Sequence, residues 1–511
     1  MKKILFILIC VLPVVSFSQS FQWGYPTPIS NETEAKVRHF YTGDKLIHLY
    51  EKYDVKIFNY HVNTNQFTKS DLEQVSALDL MEKQQQIGHK KITHIQSFQD
   101  NMGSDFSFFS YIFDIKTKVN QLYWHPMNIE TGQKSDAKEI TKIQGTSIFK
   151  AGNWKLNQSD NGLHYVVLKE YPYAKKTNEK LGIVVLDKDK NIVKEKTHTF
   201  SMRDRRNKVN TPYISNTGNV FIVKDIKLKK QKPYLNIYYW NPVTDTVKEY
   251  SLKMDDDYQI YQYNINFDSD NNMYFNGLLT HKGSKTFQMS VDLYGNASGI
   301  PGSGVITVKI DANGELVYKK RNNFSKKIIS NLNLKSFELN NGNIWLLADK
   351  RYVSKVSKSG NMAQGNATYN YTYQNTGLFI GLIKADNGAL KFANEFAYNN
   401  EPKTQNDNGA YLTYVHYFKD DNLNILYNDT QKLKTQINGR TRNYTKRVPI
   451  VRTIHPTGVT VSTKELKDAG IGNKINEQFD LDTSMLLKID DSTYIIRAKS
   501  NAEYKYGYMK L

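Results

Sequence analysis

One cysteine, Cys10, stands in the whole of this 511-residue sequence, and it lies near the very start. A disulfide framework, a thiol nucleophile and a cysteine-bound metal are closed to the rest of the chain, so stability has to come from a packed core. The 11 histidines stand singly, with no HExxH or other close pair, which removes the usual signatures of zinc. No GxSxG elbow occurs. Gly299, Gly302 and Gly304 do not lead from a strand into a helix, as a phosphate-cradling loop must. Asp268-Ser-Asp270-Asn-Asn272 begins like a calcium loop, but Met273 stands where the sharp turn wants glycine and no glutamate closes it. Asp187-Lys-Asp189-Lys-Asn191 is similar, and both read as turns. No catalytic residue, metal or cofactor is assigned. A carboxylate pair assembled from distant strands leaves no trace in spacing, so glycoside chemistry stays open.

What the N-terminus holds is a leader. Lys2-Lys3, an apolar run from Ile4 to Val15 and the ending Ser16-Phe17-Ser18 have the layout of a secretory signal. Cleavage after Ser18 leaves residues 19–511 as one domain. The apolar run falls short of the roughly 20 residues that cross a bilayer, so no transmembrane segment is expected after cleavage. Cys10 follows bulky Ile9 inside that run, unlike a lipid attachment site. Lysine and arginine outnumber aspartate and glutamate 69 to 50, a formal +19 that becomes +17 when Lys2 and Lys3 leave. Such a surplus points to an anionic partner, and export sets nucleic acid aside.

The chain is organised around Gly304 to Lys320, where two alternating runs flank the polar turn Asp311-Ala-Asn-Gly314. That is a β-hairpin. Six similar hairpins begin at Val55, Gln121, Leu181, Tyr234, Leu378 and Val448, each an apolar strand, a turn and a more charged strand. A strand, tight turn and strand precede each of them, centred on Gly43, Gly103, Gly162, Gly218, Asn271, Gly342 and Asp421, with an eighth at Asp491. Gly, Asn and Asp accept the left-handed conformation such turns need. The eighth module runs out of chain before its last strand, and Phe21 to Thr33 can supply it. The expectation is an all-β fold, a β-propeller of eight four-stranded blades, with seven as the alternative, whose last blade is closed by an N-terminal strand. Two stretches predict helices between blades, Ser70 to Gln86 with capping-box spacing and Thr463 to Phe479.

The pattern Ser215-Asn-Thr-Gly218-Asn-Val-Phe-Ile222 resembles the generic repeat of bacterial envelope β-propellers, over nearly the whole mature chain. The Trp-Asp ending of WD40 blades, the paired glycines of kelch blades and the Asp boxes of sialidases are absent, so the likeness implies a fold and no activity. The signal ending and the Lys, Asn and Tyr-rich composition look like secreted proteins of gliding, Bacteroidota-type bacteria. That likeness implies periplasmic residence, with the extracellular space as the alternative. By analogy it implies a partner such as the type IX secretion translocon, which uses periplasmic accessory proteins.

Charge collects in the connections between second and third strands. Lys224, Lys227, Lys229, Lys230 and Lys232 stand against Asp225 in the fourth module, and Lys350, Arg351, Lys355 and Lys358 stand without an acid in the sixth. In the seventh, Lys432, Lys434, Arg440, Arg442, Lys446 and Arg447 face only Asp429. The last two connections are long and add Tyr369, Tyr371, Tyr373 and Tyr444. Long loops on a rigid scaffold carry function, and Arg with Tyr is the pairing of binding hot spots. The candidate binding residues are Lys229, Lys230, Arg351, Lys355, Tyr371, Tyr373, Arg440, Arg442, Tyr444, Lys446 and Arg447. The function expected is non-catalytic docking on an outer-membrane or periplasmic protein complex. The alternative is a carbohydrate-active or glycan-binding propeller drawn to an acidic polysaccharide.

Overall fold

The computed structural model describes residues 20–23, 27–28, 36–41, 45–52, 56–63, 68–69, 91–99, 105–128, 135–205, 209–227, 233–254, 258–281, 300–325, 329–359, 368–398, 403–405, 412–437, 440–466, 479–500 and 503–511. Side chains are placed for Gln22, Trp23 and most of these residues from Ser107 onward. The expected signal and the expected helix from Ser70 to Gln86 lie outside the described residues. The only helical turn among the described residues is Ile148–Lys150. The other expected helix gives way at its start to strand Thr460–Glu465, because alternating valine and threonine continue the hairpin out of its turn. Residues 467–478 of that stretch lie outside the described residues.

The strands described form eight antiparallel sheets. In chain order, the four main strands of sheets 1 to 7 span 36–69, 91–144, 153–203, 210–251, 258–323, 329–397 and 414–465. Sheet 8 takes Asp480–Lys488, Thr493–Lys499 and Glu503–Lys510 from the C-terminus. Its fourth place is filled by Ser20–Trp23, in register from Ser20 opposite Lys510 to Trp23 opposite Gly507. Thr27–Pro28 pairs further along the same C-terminal strand.

Strand patterns follow from where each strand sits. Tyr165–Glu170, the second strand of sheet 3, is buried along its whole length because both faces are covered. Tyr165 and Val167 pack with Leu122 and Ile143 of sheet 2, while Val166 and Leu168 pack with Ile214 and Val220 of sheet 4. Each such fully buried aliphatic side chain contributes about 1.5–3 kcal/mol. The same interleaving continues between sheets 4 and 5, 5 and 6, 6 and 7, and 7 and 8, so sheets 2 to 8 stack face to face in chain order. Fourth strands lie outermost, which is why Ile192–Arg203 and Leu316–Asn323 are charged and mostly exposed.

The turns carry the conformation their residues predict. Gly162, Gly218, Asn271, Gly342 and Asp421 all have positive φ. In the hairpin of sheet 5, Gly314 sits at φ 76°, and Asp311 Oδ1 accepts the amides of Asn313 and Glu315 at 2.9 and 2.7 Å. That turn is also gripped by sheet 4. Tyr239 donates its hydroxyl to the Ala312 carbonyl at 3.2 Å, Tyr250 donates to the Gly314 carbonyl, and a Cβ on Gly314 would overlap the Tyr239 ring. The hairpin turns of sheets 3, 4, 6 and 7 are likewise held by the sheet before them. Lys138 reaches Asn191 at 2.8 Å, Lys196 reaches Asp245 at 2.7 Å, Tyr318 reaches the Ala385 carbonyl at 3.0 Å, and Asn394 reaches the Gly458 carbonyl at 3.4 Å. These clasps fix the order and the like orientation of the stack.

Candidate docking face

The two kinds of tight turn share one face of the stack. Asn219, from the first turn of sheet 4, donates to the Ala312 carbonyl of the hairpin turn in sheet 5 at 2.9 Å. The amide of Asn161 donates to Asn216 Oδ1 at 2.9 Å, joining the first turns of sheets 3 and 4. In an antiparallel meander the connections from second to third strand then leave by the opposite face.

On that face two neighbouring sheets do not end where their flanking strands end. In sheet 6, Asn343–Ser359 and Thr368–Lys384 stay paired from Asn343 opposite Lys384 to Ser359 opposite Thr368. The outer strands accompany them only to Lys350 and Gly377. In sheet 7, Asn422–Ile437 and Arg440–Ile454 stay paired out to Ile437 opposite Arg440, while their neighbours stop at Tyr427 and Ile450. Eight pairs, Thr430 with Arg447 to Ile437 with Arg440, form a two-stranded arm. At about 3.4 Å per residue it projects roughly 25 Å. The sequence led us to expect loops here. The period of two was present in Tyr369-x-Tyr371-x-Tyr373 and Arg440-x-Arg442-x-Tyr444-x-Lys446, and it is the signal that charge counting passed over.

Register sorts the residues. Tyr369, Tyr371 and Tyr373 stand opposite Ser357, Lys355 and Val353, with Arg351 opposite Asn375, so all share one face of the sheet 6 arm. Arg440, Arg442, Tyr444 and Lys446 share one face of the sheet 7 arm with Ile437, Thr435, Leu433 and Gln431. Neither arm contains an acid between Arg351 and Asn375 or between Thr430 and Arg447.

Not every expected residue belongs to a binding surface. Tyr373 is 1% exposed, packed with Val353 and Leu412, and the Arg351 guanidinium lies 5.6 Å from its ring centre. Both residues anchor the base of the arm. Arg447 Nη1 lies 2.5 Å from Asp480 Oδ2 and ties sheet 7 to sheet 8. Lys224, counted among the cations of the fourth connection, is 1% exposed and 2.6 Å from Glu179 Oε1. Lys227 and Lys350 pair with Asp225 and Glu395 at 2.6 and 2.5 Å. Lys229 and Lys230 lie outside the described residues. The strands place Lys355, Tyr371, Arg440, Arg442, Tyr444 and Lys446 along the two arms.

Elsewhere the polar side chains serve the scaffold. Asp268 Oδ1 accepts the amides of Asp270 and Asn272 at 3.0 and 2.8 Å, and Oδ2 accepts Asn272 and Tyr274 at 2.9 and 3.1 Å, so this calcium-like stretch closes on itself as a turn. Asp187 does the same with Asp189 and Asn191. Among the described residues no three His, Cys, Asp or Glu side chains are placed to hold a metal.

Between the first strands of sheets 6 and 7, His416 Nε2 stands 3.8 Å from Glu338 Oε1. Burial, helped by the nearby Lys335 ammonium, pushes the imidazole down to about 4 from 6.5. The folded state therefore holds His416 neutral where the unfolded chain is already protonated. Its contribution is complete above pH 6.5 and is lost as pH falls toward 4, by roughly 2–4 kcal/mol. Stability curves of wild type and His416→Gln should run parallel above pH 7 and converge through that window. Parallel curves throughout would show that the ring is solvated.

No protein-family model matches the chain, and no curated protein matches it in sequence. Solved structures do resemble it. The β-propeller domain of the Trilobed protease from Pyrococcus furiosus aligns over 87% of this chain and 100% of its own, at 9% identity and a TM-score of 0.35. The WD40 domain of SCAP from fission yeast aligns over 96% and 98%, at 11% identity and 0.34. The polysaccharide lyase Uly1 aligns over 80% and 88%, at 11% identity and 0.32. The resemblance to β-propeller proteins is one of fold alone, and it carries no activity, substrate or partner to this chain.

Proposed function

We propose that the protein is an exported eight-bladed propeller that docks, without catalysis, on an acidic surface of an envelope protein complex through its two basic arms. Ring closure is supported by Ser20–Trp23 pairing into sheet 8 and by Lys36–Tyr41 of sheet 1 lying against Asp480–Lys488 of sheet 8. The observation that carries the docking reading is the sheet 7 arm, a two-stranded ribbon with cations on both faces and no acid. Backbone pairing along the arm already fixes the spacing of its residues, so less entropy is lost on binding than from an unpaired loop. An outer-membrane assembly such as a secretion translocon is the partner class that the likeness to envelope proteins suggests. Binding of an acidic polysaccharide is the second reading, favoured by Tyr369 and Tyr371 standing in line beside Lys355.

The test is recovery of partners from the native envelope in mild detergent, with wild type and with Arg440→Glu, Arg442→Glu and Lys446→Glu combined. Arg447 is left intact because Asp480 holds it. Retention of the partner should fall at least roughly tenfold at low salt, and wild-type retention should weaken as salt rises. A partner held equally well by both proteins would sink the proposal.

A further inference from the structure

We infer that the sheet 7 arm captures an acidic segment of its partner as an added β-strand along Arg440 to Val448, an inference that rests on the docking reading above. The fourth strand of sheet 7, Thr460–Glu465, pairs with the third only from Ile450 onward, and the amide of Leu466 closes that ladder on the Pro449 carbonyl at 2.9 Å. Upstream of Pro449, the outer edge of Arg440–Val448 has no strand beside it among the described residues. Backbone donors and acceptors on such an edge form a template for another strand.

The chain already uses the equivalent template once. In sheet 6, Lys403–Gln405 pairs with the third strand beyond the end of the fourth, Thr372 opposite Gln405 and Gln374 opposite Lys403. Proteins usually guard a bare edge with proline, a bulge or charge. The arm pairs without a register shift from Leu423 opposite Ile454 to Ile437 opposite Arg440, and no proline occurs from Arg440 to Val448. Charge alone is left as the guard, and it has one sign. Arg440, Arg442 and Lys446 repel a second copy of the same strand and attract one that carries glutamate or aspartate opposite them. A polysaccharide could neutralise these cations but has no amide ladder to match the edge.

The experiment uses the full mature protein and a peptide of roughly ten residues alternating glutamate and valine, long enough to cover the free edge. Binding should saturate and weaken with salt. It should slow hydrogen exchange at least roughly tenfold at every second amide between Arg440 and Val448, those not already bonded within the arm. The variant carrying Arg440→Glu, Arg442→Glu and Lys446→Glu should lose both effects. Peptide binding without alternate protection overturns the added strand while leaving docking by charge intact. Absence of peptide binding, with the envelope partner still recovered, also overturns it. An envelope partner indifferent to the arm variant overturns the docking reading itself.

Discussion

Lys224→Met should lower stability by about 3–5 kcal/mol, the loss found when one member of a buried ion pair is removed and the other stays charged. Lys224 is 1% exposed in the second strand of sheet 4 and faces across to sheet 3. Its ammonium lies 2.6 Å from Glu179 Oε1, 2.9 Å from Asn210 Oδ1 and 4.5 Å from the centre of the Phe200 ring. Asn210, fully buried, passes the network on by donating to Glu170 Oε1 at 2.9 Å, and Lys155 stands 3.6 Å from the same carboxylate. Two cations and two anions thus balance between sheets 3 and 4. Methionine keeps the length of the lysine stem and removes only the charge, so the carboxylate of Glu179 is left in an apolar seam. The double variant Lys224→Met with Glu179→Leu should recover most of the loss, since replacing a whole buried pair by apolar groups is often neutral. Chemical denaturation midpoints of the three proteins decide it. Lys488 and Asp491 serve as control, because both side chains are more than half exposed and removing Lys488 should cost less than about 1 kcal/mol. A single-variant loss as small as that control would mean water reaches Glu179.

How much of this was legible in the sequence depends on whether the signal was local. The turn residues Gly162, Gly218, Asn271 and Gly314 announce themselves, because a positive φ is a property of one residue and its neighbours. The split between buried third strands and charged fourth strands, and with it the recurring hairpins, was legible as an apolar run, a polar turn and a charged run. The N-terminal completion of sheet 8 came from counting strands, and the pairing strand Ser20–Trp23 overlaps the expected stretch Phe21 to Thr33 while starting one residue before it. The arms were misread because their length was taken as a loop, although threonine, tyrosine and alternating cations are strand chemistry. Lys224 was misread for a different reason. A lysine beside lysines looks solvated in sequence, and only the approach of Glu179, 45 residues earlier in the chain, reveals its burial. The clasps of Lys138, Lys196, Tyr239 and Tyr318 on the next sheet have no sequence signal either, since each depends on how one sheet lies on another.

Gly507→Val should open the seam where the two ends of the chain meet. Gly507 lies in Glu503–Lys510, between Ile496 on one side and Trp23 on the other. A Cβ there would come within 2.5 Å of the Gln22 carbonyl oxygen and 2.8 Å of the Trp23 ring. A backbone oxygen cannot swing aside like the end of a long side chain, so the whole N-terminal strand has to move. Trp23 then leaves the core that it shares with Leu481, Ile496 and Met509, and about 2–4 kcal/mol goes with it. The three C-terminal strands keep their own pairing and their contacts with Tyr417 and Leu426 of sheet 7, so the expected state is a nearly intact stack with a free N-terminus and a bare edge on Glu503–Lys510. Three observables should move together: rapid proteolysis ahead of residue 28, faster amide exchange at Phe21 to Trp23, and concentration-dependent association through the uncovered edge. The thermal midpoint distinguishes a fastener from an ornament. If the N-terminal strand holds a ring shut, freeing it should lower the melting of sheets far from the seam, sheet 4 included. A melting curve unchanged in those sheets, with the N-terminus cut, would mean that the stack stands without closure.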